Sequence, residues 1–193
     1  MDVIHCDGEL FVAGPDTTAH LTSSPVGRRV TAIRFAPGSG PAILGAPASD
    51  LRDLRVPLGD LWGPQRARRL TEQLDVAPDR AAVLESALGR AGDAPDPLVS
   101  HLLACLRAGR PVAGIAREVG FSERQLHRRG LHLFGYGLKT LARIVRLNEA
   151  LDLARRGVAF GAVAASAGYA DQAHLSREVR ALAGVPLGEL LRG

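Results

Sequence analysis

Cysteine, lysine and aromatic residues are all scarce in this chain of 193 residues. The two cysteines, Cys6 and Cys105, are too few for a disulfide framework or a four-thiolate zinc site. Aromatic residues make up 4% of the chain and Lys139 is its single lysine, whereas Ala, Gly, Leu and Arg dominate. Such a composition is typical of a GC-rich genome, and it blurs helix signals because Ala and Gly occur everywhere.

Long apolar runs are lacking as well. The most apolar stretch, residues 158–170, is short and consists mostly of Ala and Gly, and no segment has the basic-then-apolar pattern of a secretion signal. We therefore expect no membrane partner and a cytoplasmic protein. With 46% hydrophobic residues, the chain is nevertheless long enough to bury a hydrophobic core.

Motifs of the common enzyme classes are missing too. The chain has no Gly-rich phosphate loop, no paired carboxylates and no nucleophile elbow, so we expect neither an enzyme nor a cofactor. Asp171 and His174 have no nucleophilic partner in their sequence context, so they do not indicate a catalytic site. One further polar group matches no metal-ligand spacing, and we predict no metal site there: His5, Cys6, Asp7 and His20.

The positive charge of the chain is concentrated in its C-terminal part. Residues 1–109 carry 11 Arg and 13 acidic residues, whereas residues 110–193 carry 13 basic and 7 acidic residues. A cationic segment beside a weakly acidic one indicates a nucleic-acid-binding module joined to another region. A solvated, Arg-rich surface is the alternative explanation, and it is the one we favour for a smaller basic cluster at Arg66, Arg68 and Arg69.

In the first half of the chain, the predicted secondary structure changes from strands to helices at about residue 49. Before residue 49, short apolar segments separated by Gly-Pro, Ser-Pro and Pro-Gly pairs predict strands at 10–13, 30–35 and 43–44. After it, apolar residues spaced three and four apart predict helices over 50–62, 65–74 and 78–90, the first interrupted by a proline. We predict a first domain over residues 1–95, β-rich and then helical, with its boundary in the Gly-, Asp- and Pro-rich stretch 89–97.

The second half begins with a helix whose N-cap is Asp96. A short helix over 112–119 then leads through a Gly-containing turn to a polar helix starting at Ser122, where Gln125 completes a capping box. Helix, short turn and polar helix predict a helix-turn-helix unit over about 112–133. Its inward positions would be Leu126 and Leu133.

A second unit of the same kind follows over about 161–181. It comprises a short helix over 161–167, a Gly turn and a polar helix with Asp171 as N-cap. Leu175 and Val179 form the apolar row that would pack inward. The opposite face carries Gln172, Ala173, Ser176 and Arg177.

A long amphipathic helix over 138–156 connects the two units. Its length of about 27 Å could hold two reading helices about one duplex turn, ~34 Å, apart. The predicted fold is thus mainly α, a tandem helix-turn-helix domain over residues 96–193 joined by a long helix and preceded by a small β-rich region and a helical linker, α+β in all.

Residues 110–192 resemble the DNA-binding domain of AraC/XylS-type transcription regulators. The matching pieces are Ile115-Ala116, Gly120-Phe121-Ser122, Arg124, Leu126, Arg128, Gly135, Arg146-Leu147, Ala150, Ala164, Gly168-Tyr169-Ala170-Asp171-Gln172, His174, Ser176-Arg177 and Gly184-Val185-Pro186. The resemblance implies a bacterial, sequence-specific regulator whose partners are double-stranded DNA and RNA polymerase, with two recognition helices in successive major grooves.

The same resemblance implies roles for individual residues. The positions that face base edges fall on Arg124, His127, Arg128, Gln172, Ala173, Ser176 and Arg177. Phosphate contacts fall on helix N-termini and basic side chains, at Ser122, Arg129, Lys139, Arg143 and Asp171.

The sequence departs from this family pattern at three places. Gly130 stands where a core Phe is usual, Leu138 replaces a common Pro, and Leu175 and Val179 take places often held by Phe. Since Gly130 removes a large anchor, we expect a looser reading helix in the first unit.

The N-terminal part resembles the domain that precedes the DNA-binding half in a group of AraC-like regulators, where a β-rich region comes before a helical one. The pieces are Gly14-Pro15-Asp16, Ile33-Arg34-Phe35, Pro37-Gly38 and the stretch 44–54. The chain is expected to begin partway into that domain. The alternative to a DNA-centred function is an adaptor in which this module, binding a small-molecule effector or a protein, is the primary activity; the oligomeric state stays open.

Overall fold

The computed structural model of the protein describes residues 1–18, 29–89 and 96–192. Along these residues a four-stranded antiparallel sheet is followed by a series of helices. The strands are β1 (Asp2–Cys6), β2 (Glu9–Ala13), β3 (Val30–Arg34) and β4 (Arg55–Pro57), in the order β3-β1-β2-β4. The helices are α1 (Gly40–Leu44), α2 (Leu58–Trp62), α3 (Pro64–Val76), α4 (Arg80–Leu88), α5 (Pro97–Arg107), α6 (Val112–Glu118), α7 (Glu123–Phe134), α8 (Leu138–Arg155), α9 (Phe160–Ser166), α10 (Gln172–Ala183) and α11 (Leu187–Leu190).

The sheet has one face packed against the helices that follow it. β1 and β2 form a hairpin in which Val3 pairs with Val12, and both side chains are fully buried. Their face of the sheet joins a core with Leu74 of α3 and Leu84 of α4, also fully buried. Because a small sheet is only marginally stable alone, these helices supply the apolar cover that it needs.

The mainly helical, α+β architecture predicted from the sequence is confirmed, but two local predictions are wrong. The predicted strand at residues 43–44 is the end of α1, where Pro41 occupies one of the first helical positions. The predicted helix over 50–62 is instead a 3₁₀ turn (Ala48–Leu51), strand β4 and helix α2. β4 pairs with β2, with Val56 opposite Val12, so the partner strand overrides the helical spacing of the leucines.

Some sequence predictions fall outside the described residues. Residues 90–95, which make up most of the predicted domain boundary and include the end of the helix predicted over 78–90, are among them. His20 of the polar group considered above also lies outside. His5 of that group is buried in β1, with its Nε2 3.3 Å from a carboxylate oxygen of Asp75.

The C-terminal half contains two further cores that share the long helix α8. The first core lies among α5, α6, α7 and the start of α8, and includes Leu102, Ile115 and Leu126. The second lies among the later part of α8, α9, α10 and α11, and includes Ala150 and Leu175. Each polar helix therefore has a separate core behind it, and α8 connects the two.

The N-terminal region packs directly on the first of these cores. The Tyr136 hydroxyl, between α7 and α8, donates a hydrogen bond to the backbone carbonyl of Asp16. Gly135 adopts φ 78° and meets Pro15 so closely that an added Cβ would lie 2.3 Å from the Pro15 Cγ. The turn after α7 is thus a contact point between the two halves of the chain.

Candidate nucleic-acid interface

The first candidate reading helix, α7, begins at a reciprocal cap. The Gln125 N–H donates to the Ser122 hydroxyl at 3.2 Å, and the Ser122 N–H donates to the Gln125 side-chain oxygen at 2.8 Å. Gly120, at φ 72°, supplies the left-handed turn between α6 and this cap. The capping box predicted from the sequence is confirmed.

The two faces of α7 differ in the way that a reading helix requires. Leu126 is fully buried and Leu133 is 8% exposed, so both face inward as predicted. Arg124, His127 and Arg128 are exposed on the other side. α7 is thus held through its apolar row and presents two guanidinium groups and an imidazole to solvent.

Gly130 does not leave a void in the first unit. An added Cβ on this buried glycine would lie 2.6 Å from Leu138 Cδ1 and 3.0 Å from the Tyr136 carbonyl oxygen. Leu138, itself 2% exposed, therefore fills the space beside the glycine. The two departures at Gly130 and Leu138 therefore compensate each other in packing, and whether the first candidate reading helix is looser stays a prediction.

The second candidate reading helix, α10, begins at a single-residue cap. An Asp171 carboxylate oxygen accepts a hydrogen bond from the His174 N–H at 2.6 Å, as the predicted N-cap requires. Leu175 and Val179 are fully buried behind the helix. The opposite face exposes Gln172, Ala173, Ser176 and Arg177.

A partly buried acidic residue, which we did not single out in the sequence, connects α10 to α8. Glu178 accepts two hydrogen bonds from the Arg143 guanidinium, at 2.7 and 3.2 Å, and only 13% of its side chain is exposed. These bonds lower the pKa of Glu178 below its usual value, with Arg146, at 3.7 Å, adding to the effect. Glu178 lies one residue beyond the exposed Arg177, so its inward direction could be inferred only from helical spacing.

Arg146 also contributes to the packing of the second unit. Its guanidinium lies over the Tyr169 ring, 4.5 Å from the centroid, and the Tyr169 ring meets His174 edge-on. Burial raises the pKa of the Tyr169 hydroxyl. Arg143 and Arg146 thus orient α10 on α8, and the Arg143 side chain that we expected at a phosphate is directed to Glu178 in this structure.

The other predicted phosphate residues fall into two groups. Ser122 and Asp171 use their side chains to cap their own helices, so a phosphate there would have to meet backbone N–H groups. A guanidinium nitrogen of Arg129 lies 3.8 Å from a carboxylate oxygen of Asp96. Lys139 is exposed at the start of α8. Within the described ranges, Lys139 has no ion-pair partner.

Each candidate reading helix borders a surface groove. A groove of about 440 Å³ brings together Arg124, His127 and Lys139, and Gly137 lines it next to the His127 imidazole. A second groove, of about 390 Å³, brings together Gln172, Ser176, Arg177 and Arg180. Neither groove includes Arg128, Arg129 or Ala173. Arg180 is an exposed basic residue of α10 itself that we did not predict, although it lies at helical spacing from Arg177.

The two turn-separated helix pairs invite comparison with known DNA-binding families. Residues 102–193 match a family model described as a helix-turn-helix domain. The C-terminal part of the chain carries a helix-turn-helix domain. The match supports a DNA-binding domain of the AraC type there. No curated protein and no solved structure gives a significant match to the chain.

In the part of the chain that the structure describes, no helix is both long enough and apolar enough to cross a membrane.

Proposed function

We propose that the protein is a sequence-specific transcription regulator that places α7 and α10 in successive major grooves of DNA. The observation that carries the proposal is the repeated construction of these helices. Each is capped after a glycine turn, anchored by a fully buried leucine four residues beyond the cap and polar on its outer face. The excess of basic residues after position 110 supports a polyanionic partner.

Side-chain chemistry and exposure support the proposed base-reading roles. Arg124 and Arg128 on α7, and Arg177 on α10, present forked donors that suit the O6 and N7 acceptors of guanine. Gln172 suits adenine for the same geometric reason. Ser176 donates its hydroxyl to the Gln172 carbonyl at 2.9 Å, so a base contact would compete with that bond.

Selection of bound sequences from random DNA tests this function. We expect an enriched site in which two short elements are separated by about one helical turn. Arg177→Ala should weaken binding to that site by about 1–3 kcal/mol and relax the preference at one base pair. Lys139→Ala is the matched control, since it should weaken binding to all sequences equally and reduce the salt dependence. Binding without an enriched site, or without salt dependence, would contradict the proposal.

We further propose that the N-terminal region regulates the first reading helix. The supporting contacts converge on the turn that ends α7: the Tyr136 hydroxyl bonds to Asp16, and an Arg52 nitrogen lies 3.5 Å from the Gly135 carbonyl oxygen. A change in the N-terminal region, through an effector or a protein, would shift the population of DNA-competent molecules through this turn.

Tyr136→Phe tests this coupling, because it removes only the hydroxyl that reaches Asp16. We expect a change in DNA affinity at the selected site, together with a loss of about 1 kcal/mol in the free energy of unfolding. Tyr169→Phe makes the same chemical change behind α10, away from Asp16, and serves as control. Equal DNA affinities for Tyr136→Phe and the wild type would rule out coupling through this bond.

A further inference from the structure

Three side chains of types that can ligate a metal meet where α5 lies against the end of α6. His101 and Cys105 are four residues apart and therefore share one face of α5, and Glu118 is the last residue of α6. The His101 Nε2 lies 3.5 Å from the Cys105 Sγ and 3.2 Å from a Glu118 carboxylate oxygen. One ligand atom from each residue lies within 4.8 Å of the other two.

These separations fit a tetrahedral metal ion. Zinc bonds of about 2.0 Å to nitrogen and oxygen and about 2.3 Å to sulfur place neighbouring ligand atoms roughly 3.3–3.6 Å apart. The distances from the His101 Nε2 to the Cys105 Sγ and to the Glu118 carboxylate oxygen already have about this spacing. Because 40% of the Glu118 side chain is exposed, the carboxylate can move to adjust its distance from the Cys105 Sγ. Cys105 is 5% exposed and forms the floor of the site, while the half-exposed His101 leaves an entry path from solvent.

We propose that His101, Cys105 and Glu118 form a binding site for a zinc-like divalent ion. Thiolate, imidazole and carboxylate donors together favour zinc over calcium or magnesium, which select oxygen ligands. On binding, the Cys105 thiol releases its proton to solvent, and water completes the four ligands. The site is independent of the proposed DNA contacts, since none of its residues lies on a reading face.

Arg110 lies at the mouth of this site. Its guanidinium forms an ion pair with Glu118 and donates a hydrogen bond to the Cys105 Sγ at 3.3 Å. Because Arg110 is itself 43% exposed, it can turn into solvent when an ion takes over both partners. The arginine is therefore a competitor of the metal, and its removal should strengthen metal binding.

The position of the site gives metal binding a structural consequence. Glu118 lies two residues before Gly120, which turns the chain towards the Ser122 cap of α7. An ion bound by α5 and by Glu118 would fasten the end of α6 immediately before that turn. Zinc should therefore stabilise the first helix-turn-helix unit.

Titration of the full chain with Zn²⁺, and separately with Co²⁺, tests the site. We expect one equivalent to bind with a dissociation constant of about 1 µM or below. Bound cobalt should show a thiolate charge-transfer band and the visible bands of tetrahedral coordination. A Tm increase of roughly 5 °C or more should accompany about a hundredfold excess of free zinc over the dissociation constant. Weaker binding, or bound cobalt without the thiolate band, would overturn the proposal.

Variants assign the site to its residues. Cys105→Ser and His101→Ala should each weaken zinc binding about tenfold or more. The other cysteine provides the control, because Cys6→Ser changes a buried thiol in β1 and should leave zinc affinity unchanged. Unchanged affinity in Cys105→Ser, or a loss in Cys6→Ser, would contradict the assignment. The cobalt spectrum of the wild type remains decisive even where a variant folds poorly.

Arg110→Ala tests the competition separately. We expect zinc to bind several-fold more tightly than in the wild type, since the metal no longer has to displace the guanidinium. Weaker zinc binding in Arg110→Ala would show that the arginine supports the site, and it would overturn the competitive arrangement.

Discussion

The two helix-turn-helix units have the same local construction but are held in place by different partners. In both, a seven-residue helix and a glycine turn precede a twelve-residue candidate reading helix, which ends at a left-handed glycine, Gly135 or Gly184. Four residues after each cap stands a fully buried leucine, Leu126 in α7 and Leu175 in α10. The shared parts are those that a short polar helix needs in order to form and to turn its face outward.

The difference appears eight residues after each cap. There α10 has Val179, a fully buried side chain of its own, whereas α7 has Gly130 and receives Leu138 from α8. The ends of the helices differ too: α7 ends against the N-terminal region, and α10 is tied to α8 by Arg143 and Glu178. A candidate reading helix can therefore be held in place either by the N-terminal region or by the connecting helix.

The largest expected effect comes from the leucines that the units share. Leu126→Ala and Leu175→Ala should each lower the free energy of unfolding by about 2–5 kcal/mol, because a cavity replaces a fully buried side chain. Denaturant unfolding of the two variants measures whether the units are equally well packed. A loss below about 1 kcal/mol in either would contradict its burial.

The position where the units differ gives the next effect. Gly130→Val supplies the side chain that α10 has at Val179, and it should cost about 1–3 kcal/mol by overpacking against Leu138. Combining it with Leu138→Ala should cost less than the sum of the single changes, by about 0.5–3 kcal/mol. Strict additivity in this double-mutant cycle would show that Leu138 does not occupy the space beside Gly130.

The ion pair of the second unit should be sensitive to pH. Glu178→Gln should lower the free energy of unfolding by about 1–3 kcal/mol at neutral pH, because Arg143 loses its charged partner. Since folding lowers the pKa of Glu178 from its ordinary value of 4.5, the wild type keeps this stabilisation above that pH and loses it as the pH falls through the lower folded value.

Stability measured against pH therefore separates Glu178→Gln from the wild type. The difference between them should be largest at neutral pH and shrink in acid. The exposed Glu189 of α11 provides the control, since Glu189→Gln should change stability little at any pH. A difference between wild type and Glu178→Gln that is constant from neutral to acid pH would refute the role of the carboxylate.

The caps should give the smallest effects. Ser122→Ala and Asp171→Ala should each cost about 0.5–2 kcal/mol, since each leaves a helix N–H without its side-chain partner. Asp171→Asn keeps an oxygen acceptor and should retain most of the stability. If Asp171→Asn loses as much as Asp171→Ala, the carboxylate charge rather than the hydrogen bond stabilises α10.

Helix signals were strong enough in the second half of the chain to predict its elements closely. The caps at Ser122 and Asp171 and the inward leucines are local features, spaced within one or two turns, and they are confirmed. In the first half, by contrast, β4 was missed because its strand character comes from pairing with β2, which no short window of residues reveals. The base-reading roles stay predictions.

Three properties could be predicted from the residues alone: where the helices of the tandem units begin, which side of each faces inward and where positive charge is concentrated. Each depends on neighbours within a few residues of the chain. Three contacts became visible only in the folded chain: Leu138 fills the space beside Gly130, Glu178 accepts hydrogen bonds from Arg143, and Tyr136 donates a hydrogen bond to Asp16. The same holds for the meeting of His101 and Cys105 with Glu118. Each of these contacts joins elements whose approach is set by the packing of whole helices. The spacing of residues along the chain does not predict that packing.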